Sequence, residues 1–338
     1  MSAVIFPAHP EQILKGLGKL WTSLGQEEKQ QGKPTVLRAC AMTLLVATDE
    51  ADNGFEASQI ISELMREHPS RGIVLAVSAE AERGMEARVL AQCWKPFGKA
   101  QQICCEQIEI TAKPEVWPNI GPTLVGLIAA DLPAILWCRH QGALHKDASE
   151  EAKAGLEAVV SLVQKVIIDS NGMDVQDARE LITKWQKQGR IVADLEWTRL
   201  TPWREPISYV FDNESRENPF SQFHTFEIGY GDAKPPICAI YMAAWLSAPN
   251  KAKVVFKRDS EVPGIHSILM RSASETIEFF RDGKNCAILR STNGRARKYN
   301  FREATLTSLL TEELTIVGAD AAFNTALGRA EALIEYAS

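Results

Sequence analysis

Val36-Leu37-Arg38-Ala39-Cys40-Ala41-Met42-Thr43-Leu44-Leu45-Val46-Ala47 is a nearly continuous apolar run, and its reading decides the fold class. A strand that is apolar on both faces belongs inside a parallel sheet, where crossover helices cover each side. The residues that follow supply such a crossover. Asp52-Asn53-Gly54 reads as a turn, and Ala57, Ile60, Ile61, Leu64 and Met65 recur at helical spacing. Residues 73–77 are then the next short apolar strand.

The same alternation extends along the chain. A helix at residues 11–24 and a polar, exposed stretch at 26–33 come before the run. After it, residues 87–94 and 102–110 read as an antiparallel pair of strands. A helix at 118–130 leads into a strand at 134–138, and a helix at 149–162 into a strand at 165–169. Asp174 caps a further helix with Val175, Ala178, Leu181, Ile182 and Trp185 on one stripe. Strands alternating with helices predict a doubly wound, Rossmann-like α/β domain over residues 1–211.

From residue 212 the texture changes to a smaller α+β domain, residues 212–338. Residues 213–218 are polar and linker-like. A strand at 223–229, an apolar helix at 236–246 with proline at its start, and strands at 254–258 and 265–271 follow. Residues 276–280 and 286–290 form a hairpin about Asp282-Gly283. Phe323, Ala326, Leu327, Ala330, Leu333 and Ile334 mark a packed last helix.

Composition excludes several function classes. The chain of 338 residues is 45% hydrophobic and 24% charged, ordinary for a globular protein of two domains. A formal net charge of −6 argues against a nucleic-acid or anionic-membrane binder. No stretch approaches the roughly 18 apolar residues of a membrane span, and no secretory leader is visible. The seven cysteines include no Cys-x-x-Cys, and several sit in apolar runs. The expectation is buried, reduced thiols in a cytoplasmic protein without a metal site or cofactor.

No Gly-x-Gly-x-x-Gly follows a strand, and the phosphate-cradling Gly-x-x-x-x-Gly-Lys-Ser/Thr, His-Glu-x-x-His and Gly-x-Ser-x-Gly are also missing. The strand ends of an open α/β sheet are where ligands bind, and here they carry Thr48, Asp49, Ser78, Arg139, His140, Asp169 and Ser170. Arg139, His140, Asp169 and Ser170 are the ligand candidates, suited to a small phosphometabolite such as a sugar phosphate or nucleotide; the alternative is ordinary loop and capping residues. His68-Pro69-Ser70-Arg71 lies on the opposite edge, where His68 or Arg71 either caps a helix end or meets a partner.

The richest segment is Asp194-Leu195-Glu196-Trp197-Thr198-Arg199-Leu200-Thr201-Pro202-Trp203-Arg204-Glu205. Two Trp, two Arg and three carboxylates supply contact surface and forked hydrogen bonds, with no group that titrates near neutrality. Thr201-Pro202 reads as a helix start, with Pro206 a cost to that helix. The segment is either a clamp fastening the linker or a binding surface with Trp197, Arg199, Trp203, Arg204 and Glu205 as contacts. No residue is read as catalytic.

With this segment, His68-Pro69-Ser70-Arg71, Cys105-Glu106-Gln107-Ile108, Leu132-Pro133-Ala134-Ile135-Leu136-Trp137 and Val166-Ile167-Ile168-Asp169-Ser170, in this order, the chain resembles the OpcA family of cyanobacteria and actinobacteria. The resemblance covers roughly residues 35–212. It implies a non-catalytic partner that binds glucose-6-phosphate dehydrogenase and promotes its active oligomer. It also implies redox tuning by cysteines in cyanobacterial members, for which the C-terminal half here offers only Cys238 and Cys286.

Overall fold

The computed structural model describes residues 6–31, 36–49, 51–82, 84–98, 101–211, 219–248, 252–292 and 294–337. Their contacts form two compact units: one from residues within 1–169 and 184–192, the other from residues within 170–183 and 193–338. The chain therefore does not divide at residue 211. Residues 193–211 pack with the second unit, and the polar stretch 213–218 lies outside the described residues.

The first half runs β1 (Phe6–Pro7), α1 (Pro10–Gln31), β2 (Val36–Arg38), β3 (Met42–Thr48), α2 (Ala51–Leu64), β4 (Ser70–Val77), β5 (Met85–Trp94) and β6 (Gln102–Ala112). It continues through α3 (Gly121–Val125), β7 (Ala134–Cys138), α4 (Gln141–Leu144), α5 (Glu150–Val160) and β8 (Lys165–Ile168). The chain then passes along α6 (Val175–Lys187) and β9 (Ile191–Asp194).

Among the described residues these strands make a nine-stranded sheet, ordered β1-β5-β6-β4-β3-β7-β8-β9, with β2 also on β6. β3 lies parallel to both β4 and β7, and every residue of it is buried. The parallel pairing continues from β4 to β6 and from β7 to β8. From β3 the chain winds outward in one direction, then returns to build the other side. This is the doubly wound α/β order, with its reversal between β3 and β7.

Some local expectations change. The run at 36–47 is two strands, because β2 leaves β3 to pair with β6. Asp52-Asn53-Gly54 lies within the first turns of α2. The helix expected at 118–130 reduces to a 3-10 turn at Trp117–Asn119 and the short α3, where Pro118 and Pro122 interrupt the ladder. The strand β9 was not foreseen.

The cysteine expectation is corrected too. Cys93 and Cys104 face each other across the antiparallel β5–β6 pair and form a disulfide. Cys105, Cys138 and Cys238 are buried and free, but Cys40 is exposed. Burial pushes the Cys105 thiol up to about 11 and that of Cys138 up to about 12, so both are inert as thiolates near neutrality.

The second unit adds α7 (Leu195–Thr198), α8 (Thr201–Phe211), β10 (Thr225–Tyr230), α9 (Ile237–Ser247), β11 (Lys253–Arg258), β12 (Ile265–Arg271), β13 (Thr276–Arg281), β14 (Cys286–Ser291), β15 (Arg297–Asn300), α10 (Leu306–Thr315) and α11 (Ala321–Ala337). Its six-stranded sheet has the order β11-β10-β12-β13-β14-β15. Only the β10–β11 pair is parallel. Alternation puts Phe226, Ile228, Ile268, Met270, Ile277 and Phe279 on the inner face, each fully buried. Gly283, at φ 80°, makes the expected β13–β14 turn possible.

In the first unit, Gly155 of α5 is the point of closest approach, because a Cβ there would collide with the Trp117 ring. Glycine to alanine inside a helix ordinarily gains up to about 1 kcal/mol. Overpacking costs about 1–3 kcal/mol, so the collision outweighs the propensity. Gly155→Ala is expected to lower the urea midpoint of unfolding; a raised midpoint would show that the ring yields freely.

Candidate functional site

Residues 194–209 organise the second unit from within. Trp197, Leu200, Trp203 and Ile207 recur at helical spacing, and all are buried. The Trp203 ring meets Phe279 and Phe301 edge-on, with centroids 5.1 and 4.8 Å away. Trp197 packs on Phe323 and Tyr241, and its Nε1 donates to Asp320 Oδ2 at 2.7 Å. The Arg204 guanidinium lies 3.9 Å above the Trp197 ring. Burial lowers the Arg204 pKa, while Asp320, Glu312, Glu313 and Glu205 hold it up.

Asp194 opens the segment and has no solvent exposure. Its carboxylate accepts from Ser170 N at 3.1 Å, Ser170 Oγ at 2.5 Å, Glu196 N at 3.0 Å and Tyr241 Oη at 2.9 Å. It thereby caps α7 and ties it to α9 and to the residues before α6. Burial raises its pKa, and these four hydrogen bonds oppose the rise. Thr198 Oγ1 donates to Glu313 at 2.7 Å, and Thr201 Oγ1 to Glu312 at 2.6 Å, which fastens α10 to the same segment.

The two tryptophans expected as partner contacts are thus 2% and 4% exposed and anchor their own unit. Arg199 is engaged with Glu196 at 2.6 Å. The outward face is carried by Glu205, Ser208 and Tyr209. These line a hollow of about 640 Å³ with Arg204, Trp245, Glu312 and Asp320. Burial, then the neighbouring Glu313 and Glu205 carboxylates, raise the Glu312 pKa, and Arg204 opposes them.

On the other edge, Arg71 is spoken for within the first unit. Its Nε pairs with Glu106 at 2.8 Å and its Nη1 donates to Leu127 O at 2.6 Å. Glu106 also receives Arg38 and the Trp21 indole, both at 2.6 Å. His68 is half-buried, and its Nε2 meets no partner among the described residues.

The four ligand candidates separate into two groups. Ser170 is held by Asp194 in the second unit, while Asp169 ends the first unit's contiguous stretch. Arg139 stacks over Trp137 and pairs with Glu56 at 2.7 Å. His140 caps α4, its Nδ1 accepting from Ala143 N at 3.2 Å. It walls a cavity of about 490 Å³ together with Asp49, Ser78, Glu80, Trp117 and Ser149. Asp49 and Ser78 are legible as strand ends, whereas Glu80, Trp117 and Ser149 have no periodic cue. Burial lowers the His140 pKa, against the pull of Asp49.

Because its folded pKa is raised, Asp194 contributes stability that is complete below the unfolded value and declines as pH rises through the folded one. Asp194→Asn removes this dependence and costs about 1–3 kcal/mol through mismatched buried donors. The gap in urea midpoint between the two proteins should narrow as pH rises above about 4; a widening gap would overturn the assignment.

Comparison with known proteins gives the family. The model described as the glucose-6-phosphate dehydrogenase subunit N-terminal domain matches residues 61–185, and that for the C-terminal domain matches residues 190–327. The OxPP cycle protein OpcA of Synechocystis sp. is 26% identical over 75% of this chain and 54% of its own length. That of Nostoc punctiforme is 25% identical over 62% and 45%. The chain spans about half the length of these curated relatives. Among solved structures, the transcriptional regulator Gal80p of Kluyveromyces lactis aligns at TM-score 0.48, with 9% identity over 92% of this chain and 94% of that one. With both domain models matched in order, the chain belongs to the OpcA glucose-6-phosphate dehydrogenase assembly family.

Proposed function

We propose that the protein is a non-catalytic partner of glucose-6-phosphate dehydrogenase that favours the enzyme's active oligomer and so supports the oxidative pentose phosphate pathway. The observation that carries this reading is the match of both subunit domain models over residues 61–185 and 190–327. An effector of this kind works by differential affinity, binding the active assembly better than the inactive one. A tenfold shift in population needs only about 1.4 kcal/mol of preference. Cytoplasmic location belongs to the same reading; among the described residues no helix is long and apolar enough to cross a membrane.

The docking face we propose is the outward side of α8. Tyr209 is 58% exposed and Glu205 carries an exposed carboxylate, both at the rim of the hollow in the second unit. An amphipathic ring beside excess carboxylates suits a basic patch with an apolar centre. The buried tryptophans serve this face indirectly by fixing α8 on its unit.

Mixing the chain with its cognate dehydrogenase should raise activity or shift oligomer size in light scattering. Absence of both changes at micromolar concentration would end the proposal. Glu205→Lys and Tyr209→Ala should each weaken the effect about tenfold, whereas Lys15→Ala on α1 leaves it unchanged. Trp203→Ala should instead cost about 3–5 kcal/mol of stability, read by urea unfolding; a Trp203→Ala protein of full stability that has lost only the enzyme effect would place that ring in the interface.

A further inference from the structure

We propose that the crevice at the carboxyl ends of β3, β4 and β7 binds a neutral polyhydroxylated small molecule, a sugar or cyclitol without a phosphate group. The position follows from the strand order, since the reversal between β3 and β7 opens the crevice in which doubly wound sheets take ligands. A cavity of about 490 Å³ lies there, within the range of roughly 300–1,000 Å³ usual for small-molecule sites.

The walls decide the ligand's chemistry. Asp49 and Glu80 both line the cavity, so it disfavours an anion. Asp49 Oδ2 already takes the Gly142 amide at 3.0 Å, and Ser149 caps α5 through the Ala152 amide at 3.1 Å. One amide at each of the α4 and α5 starts is therefore engaged.

The donors come from side chains. His140 is 4% exposed, and its Nδ1 accepts from a backbone amide, so Nε2 carries the proton. That N–H meets no acceptor among the described residues and has almost no surface of its own open to the cavity, so the donors that a ligand can reach there are hydroxyls. The hydroxyl oxygens of Ser78 and Ser149 accept from Glu80 N and Ala152 N, which leaves their protons to donate.

Carboxylates that only accept, beside hydroxyls that donate, call for a ligand whose groups do both. A hydroxyl does; a phosphate dianion only accepts and an ammonium only donates. The Trp117 side of the cavity gives an apolar wall for the C–H faces of a ring. This site requires no dehydrogenase, so the outcome is separate from that of the partner reading.

Calorimetric titration of the whole chain with D-glucose, myo-inositol, glucose 6-phosphate and NAD tests the proposal. The expected result is saturable binding of at least one neutral polyol, with glucose 6-phosphate about tenfold or more weaker than glucose. Asp49→Asn keeps an acceptor for the Gly142 amide and should weaken the neutral ligand about tenfold; Ser78→Ala, which removes a hydroxyl donor from the wall, should do the same. Circular dichroism confirms that each variant is folded, and either folded variant suffices. No heat from either polyol, equal or tighter binding of glucose 6-phosphate or NAD, or unchanged affinity in the folded variants would each overturn the proposal.

Discussion

The second unit depends on a carboxylate that water does not reach. A buried acidic side chain is costly to a fold unless hydrogen-bond donors replace its hydration. Asp194 collects four of them, from Ser170, Glu196 and Tyr241. Those donors stand far apart in sequence, so satisfying one group fixes the turn out of β9, the start of α7 and the placement of α9. Once α7 is set, helical spacing sends Trp197, Leu200, Trp203 and Ile207 inward together. The threonines between them then reach the paired glutamates of α10. The segment richest in binding-type residues is thus chiefly the keel of its own unit.

Much of this was legible in the sequence. The run that became β3, the stripe Val175–Ala178–Leu181–Ile182–Trp185 of α6 and the Asp282-Gly283 hairpin each obey a local periodicity, and local rules suffice for them. Register is different. Nothing local says that Cys93 stands opposite Cys104, or that Glu106 gathers Arg38, Arg71 and Trp21 from three other elements. The inward turn of Trp197 and Trp203 is legible as spacing with Leu200 and Ile207, whereas composition alone leaves clamp and binding surface equally open. Of the ligand candidates, His140 stands at the strand-end crevice, whereas Ser170 was drawn off by a partner that follows it by 24 residues.

The doubly wound order supplies a crevice whatever residues line it. Here Asp49 and Glu80 line it, and Asp49 and Ser149 each take one nearby helix amide. The absence of a nucleotide motif in the sequence and the acidic walls in the structure express one constraint, seen at two levels. The acidic lining and the free serine protons suit the hydroxyl recognition proposed above.

Helix α9 carries a consequence for biosynthesis. Every residue of it except Trp245 is buried, so it has no face that water can wet. Its covering comes partly from α11, which packs against it and is made much later. During translation a greasy rod therefore leaves the ribosome well before its lid exists. The growing chain must shelter that rod on β10 or on a chaperone until the last helix arrives, which makes nascent-chain aggregation the natural hazard of this protein.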